Sequence, residues 1–249
     1  VLRDQTEIKP ENPDYKIVNN IKERLDRLTA NNLILGSSFS YNLNNQQSIF
    51  DENFFQVRWK FEWVGNLLQL AHRINGGSNV PFEINGVLPS QYVKTELDYI
   101  KHWSVGRKRV VAVRFFGGIA IPYGNATNLP FSRSFFSGGS NDNRAWRAYK
   151  LGPGSSSNIN EFNEANFKLA MNVEYRFPLL GSLQGAMFVD GGNIWNLWDD
   201  VEDPAMRFDG LQDLSEIAIG SGIGFRYDFD FFVFRLDTGF KTYNPALPQ

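Results

Sequence analysis

The chain has 249 residues, with 25 Lys+Arg against 27 Asp+Glu and a formal net charge of −2. That balance leaves no basic footprint for nucleic acid, a hydrophobic content of 42% excludes a disordered chain, and the absence of cysteine excludes disulfide scaffolds, thiolate zinc sites and cysteine nucleophiles. The two histidines, His72 and His102, have no ligand-spaced partners and read as structural, so neither metal nor cofactor is expected. Aromatic residues reach 15%, and 22 Gly accompany 22 Phe, which points to β-structure. No apolar run of about 18 residues is present to make a helical membrane span. A barrel strand, however, needs only about 10 alternating residues.

Residues 1–31 read as a loop with one short amphipathic helix. Ile17, Val18, Ile21, Leu25 and Leu28 share helical spacing, and Lys22, Glu23, Arg24, Asp26 and Arg27 oppose them. The polar opening Val1-Leu2-Arg3-Asp4 is no signal peptide, so a leader is expected to have been removed or the chain to start within a longer protein.

From residue 32 the period becomes two, and it recurs in eight runs: 32–43, 52–64, 92–103, 109–121, 167–177, 183–190, 216–228 and 231–241. The second run shows the pattern plainly. Phe55, Val57, Trp59, Phe61 and Trp63 fall on one face, and Gln56, Arg58, Lys60 and Glu62 on the other. Most runs exceed the roughly 5–6 residues usual in soluble domains. Aromatics gather near run ends (Trp63, Trp103, Tyr175, Phe177, Tyr227), as in the girdles of membrane barrels. Connections alternate between short (44–51, 105–108, 178–182, 229–230) and long (65–89, 122–165, 196–214). Tight periplasmic turns and long outer loops produce that alternation. The reading is therefore an all-β fold, an antiparallel transmembrane β-barrel. Residues 32–243 form the partial barrel, and residues 1–31 and 244–249 form outer-loop segments. Both ends then fall on the outer side, which predicts a fragment of a larger barrel.

The connection 122–165 exceeds the roughly 12–15 residues beyond which a structureless loop is usually functional. It carries Phe136-Ser137-Gly138-Gly139-Ser140-Asn141-Asp142-Asn143-Arg144-Ala145-Trp146-Arg147 and then Leu151-Gly152-Pro153-Gly154. Further on come Glu174-Tyr175-Arg176-Phe177-Pro178 and Phe188-Val189-Asp190-Gly191-Gly192-Asn193-Ile194-Trp195. In this order, over about residues 32–243, these stretches resemble the C-terminal barrel of the BamA/TamA family of bacterial outer-membrane assembly factors. In that family a loop carries G-G-x(n)-R-G-[FY], and a following strand carries F-x-D-x-G. Here Gly138, Gly139, Arg144 and Trp146 match the loop, with Ala145 in place of its glycine. Phe188, Asp190 and Gly192 match the strand, and Glu174 matches a family position on the strand after the loop.

The resemblance implies a barrel of 16 strands when complete, with this chain supplying about eight. It also implies that the loop folds into the lumen. The alternation puts Glu174 and Asp190 on the inner face of adjacent strands, where two carboxylates repel unless a cation sits between them. A guanidinium suits that place, because its forked donors fit two carboxylates better than an ammonium does. Arg144 is the expected lock, and the small inward residues Gly220, Gly222 and Gly224 leave room for the loop.

Blander readings stand beside these. Arg144 can be a solvated loop charge, and Glu174 and Asp190 can simply balance Lys168, Arg176 or Arg226. Gly220-Ser221-Gly222-Ile223-Gly224 lies inside a strand, not in the strand–turn–helix context a nucleotide loop needs. Asp199, Asp200, Glu202 and Asp203 read as a solvated loop in preference to a calcium site. No nucleophile–base–orienter set stands out, so an enzyme is not expected.

By resemblance, the expected function is insertion and assembly of β-barrel proteins in the bacterial outer membrane, through a lateral seam that accepts a substrate strand by β-augmentation. The implied partners are unfolded outer-membrane proteins, outer-membrane lipids, and accessory lipoproteins or periplasmic proteins. The alternatives are a protein-secretion pore of the same superfamily and a passive porin.

Overall fold

The computed structural model describes residues 15, 18, 21, 22, 25, 28, 29, 31–48, 51–78, 81–156, 163–198, 201, 203–229 and 231–247. The alternating runs form one antiparallel sheet of eight strands in chain order. These are β1 (Gly36–Asn44), β2 (Phe55–Val64), β3 (Tyr92–Gly106), β4 (Arg109–Pro122), β5 (Phe167–Leu180), β6 (Leu183–Trp195), β7 (Ala218–Asp228) and β8 (Val233–Tyr243). Among the described residues, β1 and β8 are the sheet edges.

Register keeps the two chemistries apart. Val113, Val173, Val189 and Ser221 stand abreast on one face of β4–β7, and Arg114, Asn172, Asp190 and Gly220 on the other. A one-residue slip would exchange the faces, so the pattern itself fixes the pairing. The apolar face is bare along its length, with Phe39, Trp59, Leu97, Phe115, Met171, Ile223 and Phe234 all exposed. Phe39 meets Trp59 edge to face with centroids 5.8 Å apart, and the Trp59 indole donates to Thr95 Oγ1 at 2.9 Å, so even a polar atom on this face is satisfied within it. The opposite face carries charge ladders. Arg114 Nε lies 2.7 Å from Asp98 Oδ1, Lys94 Nζ lies 2.9 Å from Glu96 Oε1, and Lys60 pairs with Glu62. Across the β2–β3 ladder the charges also alternate in sign, with Arg58, Lys60 and Glu62 opposite Asp98, Glu96 and Lys94, so direct neighbours attract.

Near the long-loop end, an apolar cluster of Val64, Tyr92, Ala120, Leu129, Phe135, Ala165 and Ile194 roots the β4–β5 connection on the polar face. After β2 the chain forms helix α1 (Asn66–Ile74), inside the stretch 65–89 expected only as a long connection. Tyr15, Val18, Ile21, Lys22, Leu25, Leu28 and Thr29 are helical, as the spacing in 1–31 predicts. Ile17, Glu23, Arg24, Asp26 and Arg27 lie outside the described residues.

Most strand limits shift by one to five residues from the expectation, and two of the shifts have a clear cause. β6 continues to Trp195 instead of stopping at 190. Gly191-Gly192-Asn193 looks like a turn in sequence, yet Gly192 pairs with both Ala170 and Ala218. A Cβ there would lie 2.8 Å from the Leu169 carbonyl oxygen, so close strand packing explains the glycine. The Asn193 side chain donates to the Gly154 and Glu216 carbonyls at 2.8 and 2.7 Å, tying two connections to the strand end. At the other limit, Glu216, expected to open β7, ends a 3-10 helix, Leu211–Glu216, and Ile217 caps it. The β5–β6 turn is tighter than expected, only Gly181-Ser182, with Gly181 at φ 57°.

Candidate functional site

The β4–β5 connection pairs with itself before it reaches the wall. Phe135 and Ala165 exchange backbone hydrogen bonds of 2.8 and 2.9 Å, Tyr149 donates to the Ser137 carbonyl at 3.0 Å, and Gly139 donates to that of Trp146 at 2.8 Å. Gly138 makes the bend possible. Its φ is +93°, and a Cβ would fall 2.3 Å from the Arg147 carbonyl oxygen, which only glycine tolerates. The buried Asp142 carboxylate closes the bend, accepting from Ser137 Oγ (3.0 Å), the Gly138 N–H (2.7 Å) and Lys168 Nζ on β5 (2.9 Å).

So braced, the tip crosses the inner face from β4 to β8. Arg114 donates to the Asn141 carbonyl at 2.7 Å, and Asn172 on β5 donates to that of Asp142 at 2.8 Å. Asn143 donates to the Ala218 carbonyl on β7 at 3.2 Å, and Arg235 on β8 donates to that of Ser140 at 2.8 Å. A Cβ on Gly220 would lie 2.5 Å from Asn143 Oδ1 and 2.7 Å from the Ala145 Cβ, and one on Gly239 would lie 2.9 Å from the Arg144 carbonyl oxygen. The tip therefore touches bare backbone on β7 and β8.

Arg144 stands at the centre. Nε and Nη2 donate to Asp190 Oδ2 and Oδ1, each at 2.8 Å, and the Arg144 backbone N–H adds a third bond to Oδ2 at 3.1 Å. Nη1 donates to Glu174 Oε2 and lies 3.5 Å from Asp237 Oδ2. The guanidinium carbon sits 3.5 Å from the centroid of the Phe188 ring, in cation–π contact. The side chains of Arg144, Asp190 and Glu174 are 7%, 0% and 8% exposed. Burial alone would disfavour the charged guanidinium. The hydrogen bonds and charges of Asp190 and Glu174 outweigh it and raise the Arg144 pKa above its ordinary value.

Buried charges are tolerated when their remaining lone pairs are also satisfied, and here they are. Asn172 Nδ2 gives Asp190 Oδ1 a second bond at 2.8 Å. Glu174 Oε1 accepts from Arg176 at 2.7 Å, and Oε2 also accepts from Arg226 at 2.9 Å. Arg226 in turn donates to Asp237 at 2.6 Å. Charge balancing by Arg176 and Arg226 thus coexists with the Arg144 contact on the same carboxylate. The arrangement holds a segment in place.

The other sequence-marked residues divide. Trp146 is buried against Leu151 and Ala218, with Lys241 Nζ 5.3 Å above its ring. Gly139 sits in the bend at φ 107°. Of the three β7 glycines, Gly220 alone meets the loop tip. Gly222 makes room for the Phe188 ring and the Thr238 carbonyl, and Gly224 for Asp237 and Arg226. Gly192 packs on β5 backbone. Ala145, which stands where the family pattern has glycine, is absent from the positive-φ residues, so the tip does not need glycine there. Asp142, Asn143, Asn172, Asp237 and Gly239 were not singled out from sequence. For Asp142 and Asn143 a signal existed, since they directly precede Arg144.

Among the described residues, no group of three or more His, Asp or Glu is placed to hold a metal. Asp199, Asp200 and Glu202 lie outside the described residues, and Asp203 caps the 3-10 helix Pro204–Met206 by accepting from the Ala205 N–H. His72 and His102 stack on Phe82 and Phe54, each with centroids 4.4 Å apart.

No curated protein sequence matches the chain. Its fold is similar to that in the crystal structure of BamA from Haemophilus ducreyi lacking POTRA domains 1–3, with a TM-score of 0.58 and 15% sequence identity. The match covers 84% of this chain and 39% of that one, so the chain spans well under half the length of that protein. The eight-stranded sheet is thus part of a transmembrane barrel wall, its apolar face outward. A family profile, that of the Omp85 superfamily domain, matches residues 4–247, and the chain accordingly belongs to the Omp85 superfamily of bacterial outer-membrane barrels.

Proposed function

We propose that this chain supplies part of a barrel that inserts and assembles β-barrel proteins in the bacterial outer membrane, and that the Arg144 tip locks its loop in the lumen. The observation that carries the reading is the forked contact of Arg144 with Asp190, joined by Glu174, at the floor of a loop spanning β4 to β8. A loop fixed to five strands at once holds their relative positions. A barrel whose work is to open at a seam and accept a substrate strand by β-augmentation needs such a brace, because strain from the open edge must not spread through the wall. On the alternative reading of a passive porin, the same loop would be only a constriction of the lumen. The partners on this reading are unfolded outer-membrane proteins, the surrounding lipids, and accessory lipoproteins or periplasmic proteins.

The test is depletion of the full-length protein in its host, followed by quantification of heat-modifiable barrels in the outer membrane. A broad loss of folded barrels, with unfolded ones accumulating in the periplasm, is the expected result. Loss of one exported protein with other barrels intact would replace the reading with a dedicated translocator. No change in either would return the porin to the front.

A further inference from the structure

Helix α1 turns its polar side to the protein. The Tyr123 hydroxyl donates to Asn66 Oδ1 at 2.5 Å, Gln91 donates to Gln69 Oε1 at 3.4 Å, and the His72 ring stacks on Phe82. These three residues, at i, i+3 and i+6, line one side of the helix. The opposite side carries Leu67, Leu70, Ala71 and Ile74 at i, i+3, i+4 and i+7, and it is bare. Leu67, Leu70 and Ile74 are 57%, 56% and 75% exposed. A surface helix in water turns its apolar stripe to the core, so α1 is inverted.

The stripe continues a surface already assigned to lipid. Trp63, 53% exposed, ends the outward face of β2, and α1 begins three residues later. Tryptophan at the end of a lipid-facing strand marks the level of the bilayer interface. A nine-residue helix starting there is about 13 Å long, and an interfacial helix seats its apolar side only about 5–10 Å into the headgroup–acyl boundary. From the continuity of this stripe with the lipid-facing wall, we propose that α1 is an interfacial membrane anchor. Leu67, Leu70 and Ile74 sit among the lipids at the barrel rim, and the docked polar side ties that contact to β3 and β4 through Gln91 and Tyr123. The inference rests on the outward face being lipid-facing and stands whether or not the barrel assembles other proteins.

This chain holds no cysteine, so Leu70→Cys gives a unique attachment point within it for an environment-sensitive fluorophore. The full-length protein, shown to be folded by heat modifiability, is reconstituted in phosphatidylethanolamine–phosphatidylglycerol vesicles. Its label is then challenged with shallow nitroxide lipid and with aqueous iodide. Gln212→Cys, exposed in another long connection, is the reference. The expected result is that the label at 70 loses most of its emission to nitroxide lipid and little to iodide, with the reverse at 212. In a Leu70→Glu/Ile74→Glu background, a label at Leu67→Cys should lose its lipid quenching while the barrel stays folded. Equal iodide quenching at 70 and 212 would overturn the proposal. So would a label at 70 reached by neither quencher, which would mean that protein covers the stripe, either a second copy or the segment bearing Ile21 and Leu25.

Discussion

Replacing Arg144 by alanine isolates the proposed lock, and the contacts show where the cost falls. Glu174 keeps Arg176 and Arg226, and Asp237 keeps Arg226. Asp190 keeps only Asn172 as a side-chain donor, and it is fully buried. Breaking a buried pair by removing one partner costs about 3–5 kcal/mol, because the remaining charge is left uncompensated, and nearly all of that belongs to Asp190. Asp190→Asn alone should cost less, about 1.5–3 kcal/mol, since Arg144 retains Glu174 and Asp237. The double variant Arg144→Ala/Asp190→Asn removes the stranded charge, so its cost should fall short of the sum by about 2–3 kcal/mol. The first readout is urea unfolding of the reconstituted barrel. The second is chymotrypsin cleavage at Phe136, Tyr149 and Trp146, since trypsin would lose its site at 144. A loop released by 3 kcal/mol is exposed about 100-fold more often, and cleavage should rise accordingly where opening is fast relative to proteolysis. Arg144→Lys should lie between, because an ammonium cannot fork across both carboxylate oxygens of Asp190. Single-variant costs that add within about 0.5 kcal/mol, or a loop no easier to cleave in Arg144→Ala, would refute the argument.

Gly138→Ala and Gly181→Ala form a matched pair, both at positive φ, but only the first would place its Cβ against backbone, 2.3 Å from the Arg147 carbonyl. Gly181→Ala should cost about 1 kcal/mol and leave the loop protected, whereas Gly138→Ala should expose it to chymotrypsin. Gly220→Val should also release the tip without touching any charge, because its side chain must occupy the space of Asn143 and Ala145; a loop as protected as in the parent would deny the close approach. Val173→Arg, mid-strand on the lipid face between Val113 and Val189, should destabilise the barrel by about 2–4 kcal/mol, measured by urea unfolding in vesicles, while an unchanged midpoint would place that face against something other than lipid.

Strands were legible because membrane barrels write their two faces into every residue. Phe55 to Trp63 alternate without a break, and a period of two cannot be mistaken for a helix. Legibility failed where one residue served two surfaces. Gly191-Gly192-Asn193 lost its alternation to close packing on Ala170 and to the bonds of Asn193, so β6 seemed to end early. Helix α1 was missed although Leu67, Leu70, Ala71 and Ile74 keep helical spacing, because nine residues are short for a helix and they lie in a connection between two alternating runs. In the candidate site, Arg144, Glu174 and Asp190 were singled out by the resemblance of the loop and strand motifs, and the alternation that puts both carboxylates inward gave the physical reason for a cation between them. Asp237 and Gly239 were not, because their parts depend on where the tip lands on β8, a contact that no spacing within either segment encodes.

That dependence also bears on why the loop is held by charge. Trp146, Leu151 and Ala218 already form an apolar contact between loop and wall, and apolar contact is non-directional. A loop held by Trp146 alone would have no directional contact to fix its place on β7, where Gly220 offers no side chain to grip. The forked guanidinium cannot slide. Asp190 and Glu174 sit on adjacent strands, offset by one inward position, since Asp190 pairs with Asn172 and Glu174 with Phe188. The Phe188 ring fills the step between them, beneath the guanidinium. Only one placement of Arg144 meets both carboxylates and the ring together. Buried ion pairs are weak evidence for stability, because desolvation offsets much of their attraction, and fixing register is their best-attested use. The cluster is better understood as the element that selects one loop position among several of similar apolar contact. On that account, Arg144→Ala should leave a loop that still collapses onto the wall yet occupies more than one register, so spin labels at residue 141 should show a broadened distance distribution to β8 and not a single displaced one.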